Sequence, residues 1–215
     1  MTPLIIFDCD GVLVDTESKA NERMAEIFTE LGYPLTGPEC RRKFQGQSMS
    51  TVCDEISGHI EQTLQPEAIQ REINHALRSG VKAIEGVEKL VSTLIDAGID
   101  VCVASSGTIE KMHTTLGQTS LLPQLEQVLF SSSQVSRGKP HPDVFLYAAE
   151  KMGYSPEHCI VIEDSLSGVQ AGKAAGMKVL GYCGDDFTPQ KTLSDAGAEI
   201  ITSMEEVWRF AEELN

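Results

Sequence analysis

Leu4-Ile5-Ile6-Phe7-Asp8-Cys9-Asp10-Gly11-Val12-Leu13-Val14-Asp15 carries an apolar run straight into two carboxylates one residue apart. β-Branched and aromatic residues bounded by glycine predict a buried strand. Strand alternation would point Asp8 and Asp10 the same way, but a chain leaving the sheet can turn them apart. Acids at the carboxyl end of a buried strand sit where open α/β sheets bind their ligands. Two such charges repel unless a cation or a shared proton relieves them. The pair therefore predicts a divalent metal site with one carboxylate available for chemistry.

Working outward, the pattern changes twice. After Asp15, the residues Ala20, Met24, Ile27, Phe28 and Leu31 share one helical face, and Gly32 ends the run. Helical stretches continue to about Ser79-Gly80, through Ile69, Ile73, Ala76 and Leu77, with no convincing strand. From Val81 onward, strands and helices alternate. Strands are predicted at Ile99–Ala104, Gln127–Phe130, Cys159–Ile162, Lys178–Tyr182 and Glu199–Ile201. Helices are predicted at Gly86–Ala97, Pro142–Met152 and Gly168–Ala175. Such alternation is the signature of a parallel sheet with helices on both faces. The expectation is an α/β fold with a doubly wound parallel-sheet core made of residues 1–14 and 81–215. A helical module, residues 15–80, is inserted after the first strand.

Composition limits the partners. The 215 residues carry 17 Lys and Arg against 32 Asp and Glu, a net charge of −15, which argues against non-specific binding to nucleic acid or an anionic membrane. An anionic small substrate remains compatible, because a metal and a few cations can dominate one cleft. The six cysteines include no CxxC pair and several fall in apolar runs, as expected of reduced thiols in a cytoplasmic protein. Asp8 and Asp10 interrupt the N-terminal apolar run too early for a signal peptide. The oligomeric state stays open, a monomer being compatible with the pattern.

Three further strand ends carry chemistry. Ile99–Ala104 runs into Ser105-Ser106-Gly107-Thr108, where a hydroxyl and amides at a helix start could hold an anion or simply cap the helix. Lys139 lies in Arg137-Gly138-Lys139-Pro140-His141-Pro142-Asp143, a loop stiffened by two prolines before a helix start. Cys159–Ile162 ends in Glu163-Asp164, a second acidic pair that is hard to explain on the same sheet without a cation.

In that order, Asp8-x-Asp10-Gly11-Val12, Ser105, Lys139-Pro140 and Glu163-Asp164 resemble the motifs of the haloacid dehalogenase-like hydrolases. The resemblance covers nearly the whole chain. It implies a Rossmann-like core, and its helical insertion matches the α-helical cap of the phosphoglycolate phosphatase and β-phosphoglucomutase branch. It implies that Asp8 is a nucleophile forming an aspartyl-phosphate and that Asp10 is the general acid and base. Ser105 and the amide of Ser106 would bind phosphoryl oxygens, and Lys139 would neutralise Asp8 and the phosphoryl group. Mg²⁺ would be held by Asp8, the Asp10 carbonyl, Asp164 and, directly or through water, Glu163.

An acid at Asp10 separates this chain from the family's ATPase branch, which carries Thr there, and from its dehalogenases. A small phosphorylated metabolite is the implied partner. β-Phosphoglucomutases tend to carry a His where this chain has Ala20, and an Arg where it has Met49. Both departures favour a phosphatase over a mutase. A non-catalytic binding protein on the same scaffold would be expected to have lost Asp8 or Asp10. In the cap, Arg41, Arg42 and Lys43 precede Phe44-Gln45-Gly46-Gln47-Ser48. They are either a solvated helix end or, with Gln45, Gln47 or Ser48, the contact for the remote part of a phosphosugar or phosphosugar acid.

Overall fold

The computed structural model describes residues 2–45, 47–60 and 62–213, so Gly46 of the predicted cap loop lies outside the described residues. The chain divides into two compact units, residues 1–14 with 82–215 and residues 15–81. β1 (Leu4–Phe7) opens the first unit. The second comprises α1 (Thr16–Glu30), α2 (Gly37–Phe44), α3 (Met49–Ser57) and α4 (Pro66–Ala76). The first unit then resumes with α5 (Val87–Asp96), β2 (Val101–Ser105), α6 (Ile109–Leu116), α7 (Leu122–Leu125) and β3 (Leu129–Ser131). It continues with α8 (Asp143–Met152), β4 (Cys159–Glu163), α9 (Leu166–Ala174), β5 (Lys178–Tyr182), α10 (Gln190–Asp195), β6 (Glu199–Ile201) and α11 (Val207–Glu213).

The sheet is wholly parallel, in the order β3-β2-β1-β4-β5-β6. β1, β2 and β4 are buried along their whole length, as befits strands covered on both faces. The chain winds outward from β1 to β3, then crosses back to lay β4 on the other side of β1. The carboxyl ends of β1 and β4 therefore flank the point where strand order reverses, which is where such sheets bind ligands.

Boundaries shift where local hydrogen bonding overrides the apolar pattern. β3 begins at Leu129 because Glu126–Val128 forms a 3-10 turn. α9 begins at Leu166, two residues before the predicted Gly168, because the Ser165 side chain accepts from the Gly168 N–H and caps the helix.

In the helical unit, α1 buries Met24, Ala25, Ile27 and Phe28, and Phe28 meets Phe44 of α2 edge to face at 6.1 Å. Asp15 caps α1, Ser48 caps α3, and Thr36 with Glu39 closes a reciprocal capping box on α2. No helix of the described residues is long and apolar enough to cross a membrane.

Ile6 is fully buried in the central strand, whereas Ile95 on α5 is 40% exposed. Ile6→Ala is expected to lower unfolding free energy by about 2–5 kcal/mol. Ile95→Ala should cost less than about 1 kcal/mol, the gain in helix propensity offsetting lost partial burial. Parallel denaturant melts of the two variants check the contrast.

Candidate active site

β1 delivers Asp8 one residue past its end, and the ladder continues there, the Asp8 N–H donating to Ile162 O of β4 at 3.0 Å. The chain then folds into a tight loop. Gly11 N donates to Val14 O, and the amides of Leu13 and Val14 donate to Cys9 O. Gly11 has φ +81°. A Cβ there would lie 2.7 Å from Asp164 Cγ and overlap its carboxylate oxygen, so the absence of a side chain lets Asp164 approach.

Lys139 is the hub. Its Nζ donates to Asp8 Oδ1 at 2.6 Å and to Glu163 Oε1 at 2.7 Å, with only 3% of the side chain exposed. The ammonium also lies 4.8 Å from the centre of the Phe145 ring, within cation–π range. Its loop is tied end to end by Arg137, whose Nε and guanidinium N–H donate to both oxygens of Asp143, the first residue of α8. The Lys139–Pro140 peptide is cis. Glu163, 1% exposed, accepts from Lys139 on one oxygen and from the Ser165 N–H and O–H on the other.

These charges reset one another. Burial pushes the Asp8 carboxyl up to about 7, with Lys139 pulling it partly back and Glu163 pushing it further. Burial works against the Lys139 charge, but the two carboxylates outweigh it and hold the ammonium above its ordinary range. Burial, with Asp10 and Asp8 nearby, drives the Cys9 thiol well up, which disfavours the reactive thiolate.

Carboxylate oxygens of Asp8, Glu163 and Asp164 all lie within 4.8 Å of one another. An all-oxygen, acidic donor set with a glycine beside it suits a hard divalent cation such as Mg²⁺.

Around Ser105 the loop is self-braced. Ser105 Oγ accepts from Gly107 N at 3.0 Å, and Ser131 Oγ donates to Gly107 O at 2.7 Å. Ser106 is exposed at the start of this turn. Thr108 caps α6 by accepting from Lys111 N. Lys111 Nζ donates to Asp10 Oδ2 at 2.6 Å, so Asp10 turns toward α6 while Asp8 faces Lys139.

The fold thus brings Asp8, Glu163, Asp164 and Lys139 together, and it sets Asp10 Oδ2 and Ser105 Oγ both within 4 Å of the point where a Cβ of Gly107 would stand. The helical unit holds the remaining candidates. Lys43 is paired with Glu55 of α3 at 2.6 Å and shares a hydrogen bond with Tyr33. Gln47 donates its side-chain amide to Lys43 O, and Ser48 is the α3 cap. These three have structural duties within that unit. Arg41 and Arg42 end α2, where cations suit the helix dipole, and Gln45 is its exposed C-cap.

Residues 5–182 match the family model for haloacid dehalogenase-like hydrolases. The chain belongs to that family. It is a phosphoric monoester hydrolase of the phosphatase and phosphomutase branch. It is 34% identical over 185 residues to the 6-phosphogluconate phosphatase of Escherichia coli (strain K12), covering 84% of this chain and 82% of that one. It is 30% identical to hexitol phosphatase A of the same organism over 94% of this chain and 91% of that one. Among solved structures, a family hydrolase from Deinococcus radiodurans R1 with bound phosphate and sodium superposes with a TM-score of 0.87. That protein is 31% identical, and the match covers 99% of this chain and 96% of that chain.

Sequence reading overlooked Lys111, Ser131, Phe145 and Gly168. Two left a signal. Lys111 is a cation in the first turn of a helix, against the dipole. Gly168 interrupts a helix, where glycine costs about 1 kcal/mol relative to alanine. The reason for the glycine is space, because a Cβ at 168 would overlap the Glu163 carboxylate. Gly168→Ala is therefore expected to displace Glu163, loosen Lys139 and Asp8, and lower turnover of p-nitrophenyl phosphate at least about tenfold. The stability cost should be only about 1–3 kcal/mol. Unchanged turnover in a folded variant would contradict this role for Glu163.

Proposed function

We propose that this hydrolase is a Mg²⁺-dependent phosphatase of small phosphosugars or phosphosugar acids, working through an aspartyl-phosphate on Asp8. The observation that carries the reading is the buried Asp8–Lys139–Glu163 chain beside Asp164, at the switch point of the sheet.

In this reading Asp8 attacks phosphorus as the ester P–O bond breaks, and Asp10 gives its proton to the departing oxygen. Water then attacks the phosphorus of the aspartyl-phosphate, Asp10 takes a proton from it, and Asp8 is released with inorganic phosphate. Lys139 holds Asp8 in line and offsets the phosphoryl charge. Ser105 and the Ser106 amide donate to phosphoryl oxygens. The metal would be held by Asp8, the Asp10 carbonyl and Asp164, with Glu163 joining directly or through water. When bound, Mg²⁺ supplies charge neutralisation for the phosphoryl oxygens.

Phosphosugar substrates are supported by the names of the two curated relatives. The helical unit, residues 15–81, would serve as the cap, with Arg41, Arg42 and Lys43 and the neighbouring Gln45, Gln47 and Ser48 facing the substrate's remote end. Lys43 is the weakest of these, being held by Glu55.

Phosphate release from a panel of phosphosugars, with and without millimolar Mg²⁺, tests the assignment. Chelation should abolish release, and Asp8→Asn should lower it by several orders of magnitude while leaving the fold intact. Retained turnover in the variant would refute the nucleophile. Product analysis separates phosphatase from mutase. With β-glucose 1-phosphate and a bisphosphate activator, phosphate should accumulate, and efficient formation of glucose 6-phosphate would overturn the phosphatase reading.

A further inference from the structure

We infer that Lys111 is a positioning residue for Asp10, orienting its carboxylate so that the enzyme can expel poor leaving groups. The inference rests on the reading above in which Asp10 protonates the departing oxygen.

Lys111 Nζ donates to Asp10 Oδ2 at 2.6 Å, a charge-assisted contact between residues 101 positions apart. The Lys111 side chain is 41% exposed and that of Asp10 26%. An ion pair so open to water contributes little to stability. Holding the fold together is therefore not what the contact does best.

The cation also stands where a helix least favours one, in the first turn of α6. That location makes sense when the charge is directed at an anion. The backbone that carries Lys111 is fixed by the helix cap, its N–H donating to Thr108 Oγ1 at 3.2 Å. The place is specific as well. Lys111 Cδ, Ser105 Oγ and Asp10 Oδ2 lie 3.4, 3.4 and 3.8 Å from the point where a Cβ of Gly107 would stand. Asp10 is thus drawn to the edge of the turn that carries Ser105. The loop after β1 fixes the Asp10 backbone through the amides of Gly11, Leu13 and Val14, but a backbone does not set a carboxylate rotamer. Lys111 does so from a different element of the same unit.

A proton donor works only within hydrogen-bond reach of the departing oxygen, and small misplacements are costly. The cost falls on leaving groups that need the proton. Phenyl phosphate and p-nitrophenyl phosphate differ little in shape but strongly in leaving-group basicity, so their kcat/KM ratio reads proton delivery. It is insensitive to phosphate binding or to the fraction of folded enzyme.

The test measures that ratio, p-nitrophenyl over phenyl, for the full chain with Mg²⁺ and for the variants Lys111→Met, Lys111→Arg, Asp10→Asn and the Met/Asn double. Lys111→Met should raise the ratio about tenfold, and Lys111→Arg should restore most of it. In the Asp10→Asn background, Lys111→Met should change the ratio less than about twofold, because the two residues act as one. An equal loss on both substrates would overturn the inference by showing a phosphate-binding or structural role. So would the same ratio change in the presence and absence of the Asp10 carboxylate. Asp10→Asn shifting the ratio while Lys111→Met does not would overturn this inference alone. No shift with Asp10→Asn would overturn the acid role of Asp10 and this inference with it.

Discussion

One buried ammonium organises the catalytic half of this protein. Lys139 stands between Asp8 and Glu163, with almost none of its side chain exposed. Two carboxylates this close, on adjacent strands, repel strongly without a cation. Desolvating the three groups is expensive, and a buried ionic cluster is poor evidence of stability for its own sake. What the cluster does is set geometry. Each oxygen that Lys139 and Ser165 engage removes a rotameric choice from Asp8 or Glu163, so the Asp8 carboxylate is held in one orientation. The Phe145 ring beneath the ammonium adds an apolar floor that favours the charge and excludes water.

The cluster constrains the backbone around it. Gly168 leaves room for Glu163, and Gly11 leaves room for Asp164 at a positive φ that other residues resist. Two glycines on two elements are therefore steric consequences of packing four charged groups at one sheet switch point. On the far side of the loop after β1, the same logic is repeated in the open. Asp10 is met by Lys111 from α6, while Ser131 and Ser105 brace the turn between them. Asp8 and Asp10, adjacent but one in sequence, are thus given opposite cationic partners and opposite surroundings. That separation is what the proposed division of labour, Asp8 as nucleophile and Asp10 as proton donor, would require.

The sheet was legible because parallel strands buried on both faces must be nearly continuous apolar runs, and Leu4–Phe7, Cys159–Ile162 and Lys178–Tyr182 are. The acids at the ends of the first two, Asp8, Glu163 and Asp164, stood out against that background, and Lys139 stood out by its proline-stiffened loop. Lys111 and Gly168 could not, because their importance lies in contacts spanning different elements. A single helix-turn lysine looks like surface charge until Asp10 is seen against it. Ser48, Gln47 and Lys43 illustrate the reverse. Their residue types fit ligand binding, yet each satisfies a local need first: a helix cap, a backbone carbonyl and the Glu55 carboxylate. Residue type and spacing do not separate these duties, whereas hydrogen-bond partners do.

The central claim is that Asp8, oriented by Lys139, becomes covalently phosphorylated. The most direct measurement is a rapid acid quench of excess enzyme with radiophosphate-labelled substrate during a single turnover, followed by borohydride reduction and peptide mapping. The account predicts a transient, alkali-labile phosphoenzyme whose label maps to the peptide containing Asp8, with borohydride converting residue 8 to homoserine. Complete release of phosphate with no label on that peptide at any quench time, or label on Ser105 instead, would contradict it.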